Sequence, residues 1–295
     1  MTPASCFLGV DLGGSQLRMA AVTPAGRLLT DLLSVPTGKS FGPAELQRML
    51  RELSERLRPS LNGRDVVALG LGTPGVVNDG PLSQCENLPL LNGVDIGDLV
   101  RDAVGCPAAL ENDARCFTLA EARYGAARGV RDVCGLTLGT GLGCGVMIGG
   151  RLYRGANSQA GEVWRVPLRG RPLEYFVSGA GVVRAYQAGG GAGAALDAAE
   201  VERRARAGDP AALAAWKQFG SDLADLCATV SALIDPALIV LGGSLVRAAG
   251  LYRPVLSERL AGQHTRIVEA ALGPAAGVIG AAALNMASSV ASMSP

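Results

Sequence analysis

In the stretch "FLGVDLGGSQLRMAAV" (7–22), Asp11 follows an apolar run and precedes the glycine pair Gly13 and Gly14. A hydroxyl at Ser15 and a cation at Arg18 come next. Glycines let backbone N–H groups approach phosphate oxygens closely, and a serine adds a hydroxyl donor. A carboxylate beside a phosphate repels it unless a divalent cation lies between them. Magnesium prefers carboxylates, water and phosphate oxygens, so Asp11 reads as a magnesium-organising residue acting through water. A second turn, "LTLGTGLG" (136–143), repeats the pattern with Thr137, Gly139, Thr140 and Gly141. Alone, the first turn is as readily a plain hairpin with a solvated aspartate; the matching second turn favours a nucleotide.

Other phosphate-binding patterns fit less well. "GKS" (38–40) is close to a Walker A ending, but Leu33 stands where that loop needs glycine, and no strand-to-helix context surrounds it. "GLGTPG" (70–75) matches G-x-G-x-x-G after a strand. Turn signals in "VVNDGPL" then occupy the place where a dinucleotide-binding helix would have to start.

The elements that hold these turns are legible in outline. The opening predicts strands over 6–12, 17–22 and 27–33, the last following the turn "TPAG". Leu46, Met49, Leu50, Leu53 and Leu57 recur at helical spacing. "VVALGLG" (66–72) reads as a strand. "LENDARCFTLAEARYG" (110–125) reads as a strand end entering a helix that Asn112 or Asp113 caps and Gly125 closes. A long helix is expected in "DPAALAAWKQFGSDLADLCATVSALIDP" (209–236), then a short buried strand in "ALIVLGGSL" (237–245). The segment 10–28 can be laid over 136–152, each reading strand, glycine turn, strand, glycine turn, strand. Such a duplicated unit predicts two related α/β halves, each offering one turn to a shared ligand.

Composition excludes several functions. Formal charge is +1, from 27 basic and 26 acidic residues, and no basic tract offers a footprint for nucleic acid or anionic lipid. The seven cysteines form no C-x-x-C pair and read as buried free thiols in a reducing compartment. One histidine, His264, builds neither a His-rich metal site nor a convincing Ser-His-Asp triad. No basic n-region precedes the first apolar run, so a cytoplasmic protein is expected, without membrane or nucleic-acid partners.

In chain order, "VDLGGSQLRMAAV", "GLGTPGVV", "ENLPLLNG", "LENDARCFTLAEARYG", "LTLGTGLGCGVMIGGRLYRGANSQAGE", "LIDPALIVLGGSL" and "GVIGAAAL" resemble the motifs of the ROK family of sugar kinases, from about residue 6 to about residue 285. The resemblance implies an α/β protein with the actin-like, ribonuclease H-like ATPase fold, two lobes with a central cleft. Its N-terminal lobe would span 1–115 and its C-terminal lobe 116–295, with a last helix over about 276–291 packing back on the first lobe. It implies ATP and magnesium as cofactors, and transfer of the γ-phosphate to a hydroxyl of a hexose, glucose by default. The alternatives are a fructose or N-acetyl-amino-sugar kinase, or a non-catalytic sugar-binding regulator. The repressor branch carries an N-terminal helix-turn-helix domain, whereas five residues precede the first strand here. By analogy with the family, a homo-oligomer (dimer or tetramer) is expected.

Carried over residue by residue, the resemblance assigns ATP phosphates to Asp11, Gly13, Gly14, Ser15, Thr137, Gly139, Thr140 and Gly141. It places Gly242 and Gly243 near the adenosine, and makes Asp113 the base that deprotonates the attacking sugar hydroxyl. Asn112, Glu162 and Glu174 resemble the sugar contacts, with Gly72 to Gly75 along the same wall. A helix N-terminus keeps Asp113 ionised and hence weakly basic. In a loose phosphoryl-transfer transition state the proton moves late, so orienting the hydroxyl matters more than basicity.

One segment departs from the family. Where its members read G-E-I-G-H followed by a zinc-holding cysteine loop, this chain reads "AGEVWRVPLRGRPLEYFVSG" (160–179). Trp164 takes the glycine position, Arg165 takes the histidine position, and the cysteine loop is missing, so no zinc site is expected. A guanidinium only donates hydrogen bonds, whereas imidazole also accepts. Arg165 is therefore expected to pair with Glu162 or Glu174, or to meet a different or anionic sugar.

Overall fold

The computed structural model describes residues 5–78, 80–193 and 196–286. They fall into two compact units. The first takes the chain up to Arg128, then Arg154–Ala160, then the chain from Pro274; the second takes Gly129–Tyr153 and Gly161–Gly273.

In the first unit, β1 (Cys6–Leu12) turns through residues 13–15 into β2 (Gln16–Val22), its antiparallel partner. The third strand, β3, is Leu33–Pro36 rather than the expected 27–33. The segment after Gly26 touches β2 through a single bridge, Val22 to Leu28. The Thr30 hydroxyl then accepts the Ala21 N–H at 3.1 Å, using a donor that a longer strand would need. α1 (Pro43–Leu57) buries Leu46, Leu50, Leu53 and Leu57, the stripe its spacing predicts. β4 (Val66–Thr73), α2 (Ile96–Val104) and β5 (Ala108–Asn112) follow, and α3 (Asp113–Tyr124) starts directly from β5. The sheet order is β3-β2-β1-β4-β5, with β1, β4 and β5 parallel.

The second unit repeats the plan. β6 (Val133–Leu138), β7 (Leu142–Ile148) and β8 (Arg151–Leu152) form an antiparallel run. A small hairpin, β9 (Pro167–Leu168) and β10 (Arg171–Pro172), is followed by α4 (Gly179–Ala188), α5 (Ala198–Arg206) and α6 (Pro210–Ile234). β11 (Leu238–Gly242) pairs parallel with β6, and after α7 (Ala249–Arg259) β12 (Arg266–Glu269) pairs parallel with β11. This sheet runs β12-β11-β6-β7-β8, the order of the first sheet position for position. Trp216, Phe219 and Tyr252 form its aromatic core.

The chain ends back in the first unit with α8 (Ala276–Ala283); residues 287–291 of the expected last helix lie outside the described residues. The first long stretch of the first unit runs to Arg128, so the expected boundary at 115/116 falls inside α3. That helix is buried along nearly its whole length, from Ala114 to Ala122, and so stays with the sheet it covers. Among the described residues, no helix is long and apolar enough to cross a membrane.

Candidate functional site

Parallel strands present their carboxyl ends together, and loops there are the usual ligand platform of α/β sheets. In the first unit the ladder pairs Asp11 with Gly72, Gly72 with Glu111, and Thr73 with Asn112. Asp11, Gly72 and the Asn112–Asp113 corner therefore form one row across β1, β4 and β5. Asn112 is the N-cap of α3: its Oδ1 accepts the Ala114 and Arg115 N–H groups at 3.0 and 3.3 Å. Its Nδ2 donates to the Gly75 carbonyl at 3.2 Å, tying the "GTPG" loop to the corner. Asp113 is the first helical residue, partly exposed, and its Oδ1 accepts the Ala114 N–H at 2.8 Å.

The Gly13–Gly14–Ser15 turn closes with Gly13 N–H donating to the Gln16 carbonyl at 2.8 Å. Thr37 braces it from outside, its hydroxyl on the Gly13 carbonyl at 2.6 Å. A Cβ at Gly14 would lie 2.7 Å from the Asn87 Cβ, so this glycine serves close approach. Asp11 is largely buried; its carboxyl sits above the ordinary range because burial disfavours the charge, with the Arg18 guanidinium, 3.7 Å away, pulling the other way. A Cβ at Gly277 would come within 2.6 Å of the Asp11 Cγ, so only glycine leaves room for that carboxylate beside α8.

In the second unit, Thr137 pairs with Gly242 across β6 and β11. Gly243, at φ 88°, packs its Cα against the Leu138 backbone, where a Cβ would be 2.3 Å from the carbonyl oxygen; no other residue fits. Gly139, Thr140 and Gly141 make the turn between β6 and β7, and the Gly139 carbonyl accepts the Gly179 N–H at the start of α4, at 2.8 Å. Glu174 reaches the same turn, its Oε2 accepting the Leu142 N–H at 2.8 Å. Glu162 accepts the Trp164 Nε1–H at 2.5 Å on Oε2, and Arg165 lies 3.9 Å from that oxygen while stacking over the Trp164 ring at 4.6 Å. Arg165 thus pairs with Glu162, one of its two expected partners.

The first unit therefore gathers Asp11, Gly13, Gly14, Ser15, Gly72, Gly75, Asn112 and Asp113, and the second gathers Thr137, Gly139, Thr140, Gly141, Gly242, Gly243 and Glu174. Glu162 and Arg165 pair with each other. Sequence reasoning missed the network beneath the first corner. Glu111 is fully buried, with Oε1 accepting the Asn112 N–H at 2.8 Å and the Arg115 Nη1–H at 3.0 Å, and Oε2 accepting the Arg154 Nε–H at 2.6 Å. Arg115, itself buried, donates onward to the Ser158 and Ala160 carbonyls at 2.7 and 3.2 Å. The four-residue spacing of Glu111 and Arg115 was the available signal.

Against known proteins, the family model described as the ROK family matches residues 7–288. The bifunctional enzyme NanE/NanK of Brucella melitensis biotype 1 is 33% identical over 291 residues, 96% of this chain, although the chain spans only 54% of that longer protein. The N-acetylgalactosamine kinase AgaK of Shewanella sp. strain ANA-3 is 32% identical over 259 residues, covering 81% of this chain and 82% of that one. The crystal structure of a ROK family glucokinase from Streptomyces griseus, in complex with glucose and AMPPNP, superposes with a TM-score of 0.81 at 26% identity, covering 95% of this chain and 99% of that one.

Proposed function

The chain belongs to the ROK family, and on that premise we propose that it is an ATP-dependent sugar kinase, transferring the γ-phosphate to a hydroxyl of a hexose. The row of Asp11, Gly72 and the Asn112–Asp113 corner along three parallel strand ends carries this reading, because it sets a carboxylate among neutral hydrogen-bonding groups. The glycine turns of both units serve the phosphates, with Gly242 and Gly243 near the adenosine. Asp113 orients the attacking hydroxyl and takes its proton as the new O–P bond forms and the bond to the leaving ADP oxygen breaks. Asn112 is held by Gly75 and by the helix it caps, so its amide is preorganised for a sugar hydroxyl. Glu162, Glu174 and Arg165 complete the sugar contacts.

Magnesium fits the donor set. Asp11 is one hard carboxylate in a recess that glycine keeps open, suited to an ion held through water. When bound, the ion draws charge from the phosphates. Asp11 would hold it; the neighbouring backbone N–H groups hold phosphate oxygens.

Glucose is the first candidate sugar, and N-acetylated amino sugars are the second, favoured by the 32% identity to an N-acetylgalactosamine kinase. The test is an ADP-release panel with glucose, fructose, N-acetylglucosamine and N-acetylgalactosamine, run beside Asp113→Asn. The variant should lose roughly 10²–10⁴ in turnover while still binding the preferred sugar. Wild-type-like turnover would remove Asp113 from the mechanism.

A further inference from the structure

The hairpin β9–β10 turns through Arg169 and Gly170, both at positive φ, 49° and 75°. This two-residue geometry favours Asn-Gly or Gly-Gly, and an arginine there carries a backbone cost. Its side chain supplies the compensation. The Arg169 guanidinium donates to Asp222 Oδ1 in the middle of α6 and stacks over the Phe176 ring at 4.1 Å. The Asp222 side chain is only 4% exposed, and Gln218 Nε2 donates to the same oxygen at 2.9 Å. Burial pushes the Asp222 carboxyl above its ordinary range, with a lesser push from the Asp225 charge, and the Gln218 and Arg169 interactions oppose that.

The hairpin leads straight into Glu174. Leu173 N–H donates to the Val166 carbonyl at 2.8 Å, and Phe176 N–H to the Leu173 carbonyl at 3.0 Å, so the short helical turn holding Glu174 is locked to both hairpin and stacked ring. Ser178 Oγ donates to the Glu174 carbonyl at 2.7 Å and caps α4 by accepting the Gly181 N–H. One Glu174 oxygen is spent on the Leu142 N–H, and a Cβ at Gly141 would lie 2.7 Å from it.

We infer that Arg169 and Asp222 are positioning residues: the ion pair of the half-exposed Arg169 with the buried Asp222, together with the Arg169–Phe176 stack, fixes the Glu174 carboxylate against the Gly139–Gly141 turn. This rests on the kinase reading for its meaning, since Glu174 is a proposed sugar contact and the turn a proposed phosphate contact. It goes beyond that reading by tying the two contacts through a salt bridge to α6.

The test has one readout independent of catalysis. The Leu142 amide bonds to a side chain, so its hydrogen exchange, followed by NMR, reports where Glu174 sits. In Arg169→Met and Asp222→Asn that exchange should quicken about tenfold, the loss of one charge-assisted hydrogen bond. Arg169→Lys keeps the ion pair and should restore most of the protection. In the same variants the KM for sugar should rise about tenfold with kcat changed less than about threefold, the pattern of lost ground-state binding. If Asp222→Asn does not fold, Arg169→Met, altering a half-exposed side chain, carries the test. Unchanged Leu142 exchange with a lowered melting temperature would reduce the ion pair to a stabilising contact and overturn the inference. Failure of the wild-type protein to release ADP with any sugar would instead sink the kinase reading, and the exchange experiment would still decide the positioning.

Discussion

Asp11 illustrates how a carboxylate proposed to hold a ligand is costly to the fold. Its carboxyl is raised because burial disfavours the charge, and Arg18 relieves this only in part. The folded state therefore holds that proton more tightly than the unfolded chain does. The contribution favours folding in acid and is lost as pH rises through the raised value, leaving an ionised group that destabilises at neutral pH. Asp11→Asn should thus melt about 2–4 °C higher than wild type at pH 7.5, equivalent to about 1 kcal/mol. The difference should vanish in acid, where Asp11 is protonated. The same variant should lose magnesium-dependent ADP release. Melting curves at the two pH values check the sign, and a lower melting temperature at pH 7.5 would refute it. The strand end at Asp11 and the helix cap at Asn112–Asp113 were legible in the sequence because each declares itself within a few neighbours. Arg154, the outer partner of Glu111, was not: it comes from 43 residues along the chain, and nothing local announces the pairing.

At the scale of elements, α8 shows what periodicity misses. Its residues from Ala276 to Ala283 are almost all small and buried, because backbone meets backbone there. A Cβ at Gly9 of β1 would lie 2.0 Å from the Val278 oxygen, one at Gly70 of β4 would lie 1.7 Å from the Ala281 oxygen, and one at Gly280 would lie 1.7 Å from the Cys116 oxygen of α3. Strand 66–73 was readable from its apolar run, but the reason for its glycines was not, since their partner lies far along the chain. Gly70→Ala should cost about 3 kcal/mol, the upper end of ordinary overpacking, because neither backbone can yield alone. Gly250 in α7 is the control: nothing lies within 4 Å of a Cβ there, and Gly250→Ala should stabilise by roughly 0.5–1 kcal/mol. Urea unfolding of the two variants tests whether packing or backbone freedom sets the sign. The third strand was misplaced for a related reason: the Thr30 hydroxyl's bond to Ala21 is a tertiary choice that β-propensity does not encode.

Over the whole molecule, the internal echo between 10–28 and 136–152 announced two related α/β halves, which the structure shows as two sheets of the same strand order, while the actin-like ATPase fold followed from the family resemblance. What the echo could not reveal is how unevenly the chain is shared. The second unit is one stretch, 129–273, interrupted only by Arg154–Ala160, and it contains its own aromatic core. The first unit is assembled from three stretches, and its sheet relies on α8 to cover β1 and β4. The two units should therefore respond differently to cutting. A chain ending at residue 273 loses Val278, Ile279 and the buried alanines of α8 from the first core, exposing the glycines of β1 and β4 that α8 packs against. Its first unit should lose fixed packing while its second unit keeps it. Such a chain is expected to bind a hydrophobic dye and to lose about half its cooperative unfolding enthalpy, as a partly molten protein does. The emission of Trp216, fully buried in the second core, should stay blue-shifted and melt cooperatively. The fragment 129–273 alone should show that same Trp216 transition. A truncated chain that melts in a single step near the wild-type temperature would show that α8 is dispensable and that the glycine contacts on β1 and β4 carry no weight.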